Sequence, residues 1–249
     1  MESGRTRPLA GKAILVTGAG TGIGRAAAIA FAKAGALVSI CGRRIGPLEE
    51  TAAQARQFGS SIRARAVDVA NEEAVQAWVD DAIGTFGRID VLASCAGTNA
   101  PQRSWANTTM ESWNELIATN LTGIFVCARA VLPTMRAQHD GLIINVSSIA
   151  GIHPGTISGV AYGASKFGVM SLNGTLNLEE WQNGIRATVV CPGEVSTPIM
   201  DKRPNPPGPQ AHALMIQPED LGATFVFLAT LPPRVVIEEI VVRPTVRAF

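Results

Sequence analysis

Ala13-Ile14-Leu15-Val16-Thr17-Gly18-Ala19-Gly20-Thr21-Gly22-Ile23-Gly24 is the stretch on which the fold turns. Its first five residues are a short apolar run, which predicts a strand covered on both faces. A stripe of Ile23, Ala27, Ala30, Phe31 and Ala34 follows. Those positions recur at the spacing of one helix face, and Gly35 is placed to close the helix. A strand, a glycine-rich turn and a helix in this order form the context that a dinucleotide phosphate needs. Gly18 permits a tight turn, Gly22 lets the backbone approach a pyrophosphate, and Gly24 lets helix and strand pack closely. The first N–H groups of the helix, around Thr21, Gly22 and Ile23, then face the anion. The spacing is TGxxxGxG rather than GxGxxG, and the Gly-Lys-Ser/Thr of a triphosphate loop is missing. The competing reading is an ordinary glycine-rich strand–helix turn.

The same alternation runs outward from this stretch. Residues 37–41 predict a second strand, and a helix opened by Pro47 and ended by Gly59 follows. Residues 63–67 predict a third strand. Asn71 caps the next helix, with Glu72 and Glu73 in its first turn and a stripe of Val75, Trp78, Val79, Ala82, Ile83 and Phe86. Further strands are expected at 89–93, 142–147, 185–191 and 239–242. Helical regions are expected at 110–137, 160–182 and 218–230, with Pro133 marking a kink or break in the first. Repeated strand–helix units predict an α/β fold: a doubly wound, Rossmann-like parallel sheet of about seven strands with helices on both faces. No linker interrupts the pattern, so residues 1–249 read as one domain. The Pro-rich loop at 203–210 reads as part of a substrate lid spanning about 194–217.

Composition excludes several classes. The chain has 249 residues, 47% of them hydrophobic and 16% charged, which describes a globular chain. A net charge of +1 argues against a nucleic-acid partner, which needs clustered cations. No run of residues reads as apolar and long enough to span a bilayer, so no membrane partner is expected. Arg5 and Arg7 are followed by no apolar leader segment, and a cytoplasmic location is expected. Cys41, Cys95, Cys127 and Cys191 form no CxxC pair and read as buried small hydrophobes in a reducing compartment. His139, His153 and His212 are scattered, so no metal site is expected.

Two further stretches bear on chemistry. The second strand ends Cys41-Gly42-Arg43-Arg44. An acid near this point usually meets a free ribose 2′-hydroxyl, and none is present. Arg43 suits a 2′-phosphate, which favours NADP over NAD, with NAD possible. Tyr162, the only tyrosine, precedes Lys166 by one helical turn on a shared face. A phenol with a pKa of about 10 is a poor base at neutral pH. An ammonium about 4 Å away is worth about 4 kcal/mol at an effective dielectric near 20, up to three pKa units before desolvation. Ser147 and Ser148 end the preceding strand, at the edge where open α/β sheets bind ligands. Asn120 lies inside a long helix where asparagine is disfavoured, so its side chain has either a functional role or a local backbone one.

With these residues in order, the chain resembles the short-chain dehydrogenases/reductases in their compact single-domain branch. The resemblance covers about residues 9–245. It rests on the loop at 17–24, Asp68-Val69, Ala96-Gly97, Asn120, Ser148, Tyr162 with Lys166, and Pro192-Gly193-Glu194-Val195-Ser196-Thr197. It implies Tyr162 as acid/base, Ser148 as the holder of the reacting oxygen, and Lys166 as the residue that lowers the Tyr162 pKa and binds the nicotinamide ribose. It implies Asn120 as holder of a relay water, Asp68 at the adenine and Thr197 at the nicotinamide amide. Gly18, Thr21, Gly22, Ile23, Gly24, Arg43, Val69, Ala96, Gly97, Pro192, Gly193 and Val195 complete the implied cofactor set. Ser148 is preferred to Ser147 because Gly151 completes the family's Ser-x-x-Gly.

The chain departs from the family in three places. Ser94-Cys95 replaces the usual Asn-Asn, one extra residue sits around 153–159, and the Gly-Gly ending of many 3-oxoacyl reductases is missing. The expected activity is an NADP-dependent carbonyl reductase, interconverting a ketone or aldehyde and an alcohol. A non-catalytic NADP-binding regulator or scaffold on the same fold is the alternative. Expected partners are a small carbonyl or alcohol substrate and further copies of the chain, as a homotetramer or dimer. Trp105, His153 and Met200 are candidate pocket walls.

Overall fold

The computed structural model describes residues 7–246, so part of the N-terminal stretch read above (1–6) and the last three residues lie outside it. Its strands are β1 (Ala13–Thr17), β2 (Leu37–Gly42), β3 (Ile62–Ala66), β4 (Val91–Ser94), β5 (Gly141–Val146), β6 (Ile185–Pro192) and β7 (Glu239–Val242). They pair in parallel in the order β3-β2-β1-β4-β5-β6-β7. Chain order reverses between β1 and β4, and the crevice that opens there is where such sheets bind ligands. Every residue of β1, β4 and β5 is buried, as strands covered on both faces must be.

Two layers of helix do the covering. Helices α1 (Gly22–Lys33), α2 (Ile45–Arg56) and α8 (Pro218–Thr230) pack on the first core, where the Phe31 and Phe225 rings lie 6.4 Å apart. Helices α3 (Glu72–Phe86), α4 (Met110–Ile117), α5 (Gly123–Gln138) and α6 (Val160–Glu180) belong to the opposite side; Trp78 of α3 is fully buried there and donates its indole N–H to Ser39 Oγ at 2.9 Å. A large apolar ring with its one polar group satisfied anchors this core. A short α7 (Pro209–Leu214) and a 3-10 turn (Pro198–Lys202) lie in the segment that follows β6.

Three expectations need correction. The irregularity in the long helical region is not at Pro133, which sits within α5. It is a single π-turn, Ala118–Thr122, that carries Asn120. The widened turn is held by Asn120's side-chain bonds, and Gly123 then lies flush on Val69, where a β-carbon would come within 2.5 Å of Val69 Cγ2. By length and hydropathy the run Met110–Gln138 is also apolar enough to cross a membrane. In this fold its Val126, Cys127, Val131 and Met135 pack into the core beside α3. The third correction is Trp105, which is 88% exposed and does not line the cleft described below.

Candidate active site

The glycine-rich loop departs β1 with Gly18 at φ +63°, a left-handed conformation that favours glycine. A β-carbon there would come within 2.7 Å of Ala96 Cα, and one on Gly24 within 2.5 Å of Gly18 O. Side chains at either position would push the loop away from the sheet. The loop is braced from outside. Thr17 Oγ1 accepts from Ala96 N at 3.0 Å, Ala19 N donates to Cys41 O at 3.1 Å, and Thr51 Oγ1 donates to Ala19 O at 2.9 Å. Arg25 adds a bond from its guanidinium to Gly20 O. Thr21 caps α1 without a side-chain hydrogen bond, and the first turn carries no acid. The helix start therefore keeps N–H groups for an anion, and the glycine cradle fits a pyrophosphate.

The loop opens into a cleft of about 820 Å³ along the carboxyl ends of the strands. Its walls carry Thr21, Gly22, Ile23, Arg43, Asp68, Val69, Ala96, Gly97, Pro192, Gly193, Val195 and Thr197 as well as Ser148, Tyr162 and Lys166. Thr197 packs against Gly22, whose β-carbon would meet Thr197 Cγ2 at 2.9 Å. Arg43 stands at the end of β2, 58% exposed, with a 4.0 Å approach to Glu115. An exposed pair at that distance holds the guanidinium weakly. Asp68 follows β3 and accepts from Ala70 N at 3.0 Å. Of the residues expected to act in catalysis or to bind the cofactor, Asn120 alone lies outside the cleft wall.

Asn120 is fully buried behind that wall. Its Oδ1 accepts from Thr98 N at 2.8 Å, and its Nδ2 donates to Thr98 O at 3.0 Å and to Ser165 Oγ at 3.3 Å. It thus ties the segment after β4 to α6. Ser165 in turn donates to the Tyr162 carbonyl at 2.8 Å. The two serines after β5 divide their work. Ser147 Oγ donates to Lys166 O at 2.9 Å and is spent on structure. Ser148 accepts from Ala150 N at 3.1 Å and stands beside the Tyr162 phenol. A β-carbon on Gly151 would lie within 2.6 Å of Lys166 O, so only glycine lets this turn meet α6.

Lys166 is 3% exposed, and its ammonium donates to Val146 O at 2.9 Å and lies 5.5 Å from the Tyr162 ring centre. Burial pulls its pKa down to about 8. Burial also pushes the Tyr162 phenol upward, against the Ser148 hydroxyl and the charges of Arg103 and Arg203, which lower it. The phenol is therefore held protonated and next to cations. Such a group can donate a proton to an oxygen and hold the resulting charge.

The family model for short chain dehydrogenases matches residues 12–207. The chain belongs to that family. It is 35% identical over 234 residues to an L-fucose dehydrogenase of Oryctolagus cuniculus, covering 89% of this chain and 80% of that one. Its fold is similar to that of a metagenomic short-chain oxidoreductase solved in complex with NADP, at 31% identity and a TM-score of 0.84, covering 96% and 100% of the two chains. An alcohol dehydrogenase from the archaeon Thermococcus sibiricus, complexed with 5-hydroxy-NADP, superimposes at 26% identity and the same TM-score, covering 94% and 97%.

In this short-chain dehydrogenase the substrate side of the cleft also holds side chains that the sequence did not single out by residue. Arg103 is 8% exposed. Its Nε donates to Ala100 O at 2.7 Å, Nη1 to Ile157 O at 2.5 Å and Nη2 to Lys202 O at 2.9 Å. Arg203 pairs with Glu194 at 2.6 Å, and Lys202 Nζ donates to Thr98 Oγ1 at 2.7 Å. His153 and Met200 line the cleft as expected. An arginine in an aperiodic loop carries no signal in sequence; its role depends on which other loops fold over it.

Proposed function

We propose that the protein is an NADP-dependent oxidoreductase that interconverts a ketone or aldehyde and an alcohol. The observation that carries this reading is Tyr162 beside Ser148 at the mouth of a glycine-cradled cleft, with Lys166 buried below. NADP is supported by Arg43 at the end of β2, where an acid would suit a bare ribose, and by the two NADP-type complexes with which the fold superimposes. When bound, the nicotinamide supplies or takes up the hydride at the substrate carbon. Ser148 holds the substrate oxygen, and in reduction Tyr162 hands it the phenolic proton. In oxidation the transfer runs in reverse, and Tyr162 accepts the alcohol's proton as its phenolate. Lys166, aimed at the floor through Val146 O, suits the nicotinamide ribose and places positive charge below the phenol as that proton leaves.

We further propose self-association through α5 and α6, which expose Phe125, Phe167 and Leu178, the last 79% exposed. A homotetramer is the assembly this supports, and a single-subunit mass by light scattering at micromolar concentration overturns it. The catalytic reading is tested by NADPH oxidation over a panel of ketones and aldehydes. Turnover is expected for at least one class and its collapse in Tyr162→Phe. A variant that keeps wild-type turnover removes Tyr162 from the reaction.

A further inference from the structure

The three loops over the substrate half meet on one guanidinium. Arg103 donates to the carbonyls of Ala100, Ile157 and Lys202, one from each loop. Its own carbonyl accepts from Val160 N at 3.0 Å, the first residue of the helix that carries Tyr162. Gly159, at φ +81°, makes this contact possible, since a β-carbon there would lie 2.5 Å from Arg103 Cβ. Arg103 is therefore fixed in the cleft wall, near enough for its charge to act on the Tyr162 phenol.

Its charge is not matched. All three side-chain bonds go to neutral carbonyls, and among the described residues no carboxylate pairs with it. Burying a guanidinium without a counter-charge is costly, and that cost has to be met by something the site gains. Two of its five N–H groups have no bond among the described residues, given one bond from each nitrogen. The neighbouring cations add to the imbalance. Among the described residues Lys202 bonds only the neutral Thr98 hydroxyl, and Lys166 only a carbonyl. Glu194 is the one acid lining this half, and Arg203 already occupies it.

We infer that the substrate is an anion, a carbonyl compound bearing a carboxylate, whose carboxylate is held by Arg103 and Lys202 while its carbonyl oxygen reaches Ser148 and Tyr162. The inference rests on the oxidoreductase reading above and narrows it to a substrate class. A planar guanidinium fork with two open N–H groups matches a carboxylate. An alcohol or sugar hydroxyl would leave the charge as unmatched as it is now.

The test compares short 2-, 3- and 4-oxo acids with their methyl esters as substrates for NADPH oxidation. At least one acid is expected to exceed its ester tenfold or more in kcat/KM, with the advantage shrinking as salt rises. Arg103 also ties the loops, so Arg103→Met will weaken both substrates, and the acid more than the ester. Lys202→Met is the cleaner variant, because the backbone carbonyl that accepts from Arg103 remains. It is expected to lower kcat/KM severalfold more for the acid than for the ester. Equilibrium binding of acid and ester to NADPH-loaded Tyr162→Phe reads the same preference without turnover. Equal kcat/KM and equal binding for acid and ester in the wild type overturn the anionic substrate while the oxidoreductase reading stands. Turnover of no carbonyl, charged or neutral, overturns the oxidoreductase reading and the inference with it.

Discussion

The two halves of the cleft are built on different principles. The cofactor half is a backbone construction. Gly18, Gly22 and Gly24 bring main chain within touching distance of main chain or of Thr197, and strand pairing fixes each loop's departure point. The substrate half is a side-chain construction. Loops from three distant parts of the chain converge on Arg103, spanning up to 99 residues of sequence separation. The first half tolerates little change in shape and binds what any member of the family binds. The second is specified by a few charges whose positions follow no period, and it is where one member differs from another.

The sharpest test of this contrast is Tyr162→Phe. It removes the hydroxyl proposed as proton donor but keeps the ring that shapes the cleft. The expected result is a fall in kcat of about 10²- to 10⁴-fold, with NADPH affinity unchanged in a fluorescence titration. Equal losses in binding and turnover would merge the two halves rather than separate them.

Lys166 offers the next largest effect, on stability. Its pKa of about 8, below the usual 10.5, comes from burial. Between pH 8 and 10.5 the unfolded chain binds this proton and the folded chain does not. On this group's account stability therefore rises with pH across that window, by up to about 3 kcal/mol. The buried thiols oppose this above pH 9, since burial raises Cys95 and Cys127 to about 12. The difference between wild type and Lys166→Met in urea unfolding cancels the burial of the thiols and leaves the smaller effect of the Lys166 charge on Cys95 and Cys191. It should shift in favour of the wild type as pH climbs from 8 to 10, and a pH-independent difference would show that Lys166 titrates normally.

Arg43→Ala probes the cofactor half by charge alone. Losing hydrogen bonds from a guanidinium to a phosphate costs about 1.5–3 kcal/mol, roughly ten- to a hundredfold in NADPH affinity. NADH affinity should stay level. A parallel loss for both cofactors would place Arg43 away from the 2′ position.

The smallest effect concerns Ser94. Its hydroxyl is buried without a partner, as is Oδ1 of Asn145, the residue beside it in register on β5. An amide at 94 reaches further than a hydroxyl and can donate to that oxygen. Ser94→Asn is expected to raise stability by about 1 kcal/mol, read as a Tm a few degrees higher. A lowered Tm would mean that the pocket has no room for the larger side chain.

Much of this was legible in the chain itself. Strand runs such as 13–17 announce burial on both faces, and the stripe from Val75 to Phe86 announces α3, because local periodicity reports the side each residue faces. Tyr162 and Lys166 were legible because one helical turn is a fixed distance. The cradle glycines were legible because their spacing follows the loop's own geometry. Pro133 misled: a proline breaks a ladder locally, but tertiary packing carried α5 through it and placed the irregularity at Asn120. The length of the Met110–Gln138 helical run and the exposure of Trp105 likewise depend on which surface each residue meets.

The sequence by itself determined the alternation of strand and helix, the phosphate loop and the Tyr162–Lys166 pair, since all three rest on contacts within a few residues of chain. Tertiary structure alone decided that Asn120 sits behind the cleft wall, that Ser147 is spent on the Lys166 carbonyl, and that Arg103 gathers Ala100, Ile157 and Lys202. Those outcomes join segments far apart in the chain. They have no local signature because the geometry that fixes them exists only once the sheet has brought its loops to one edge.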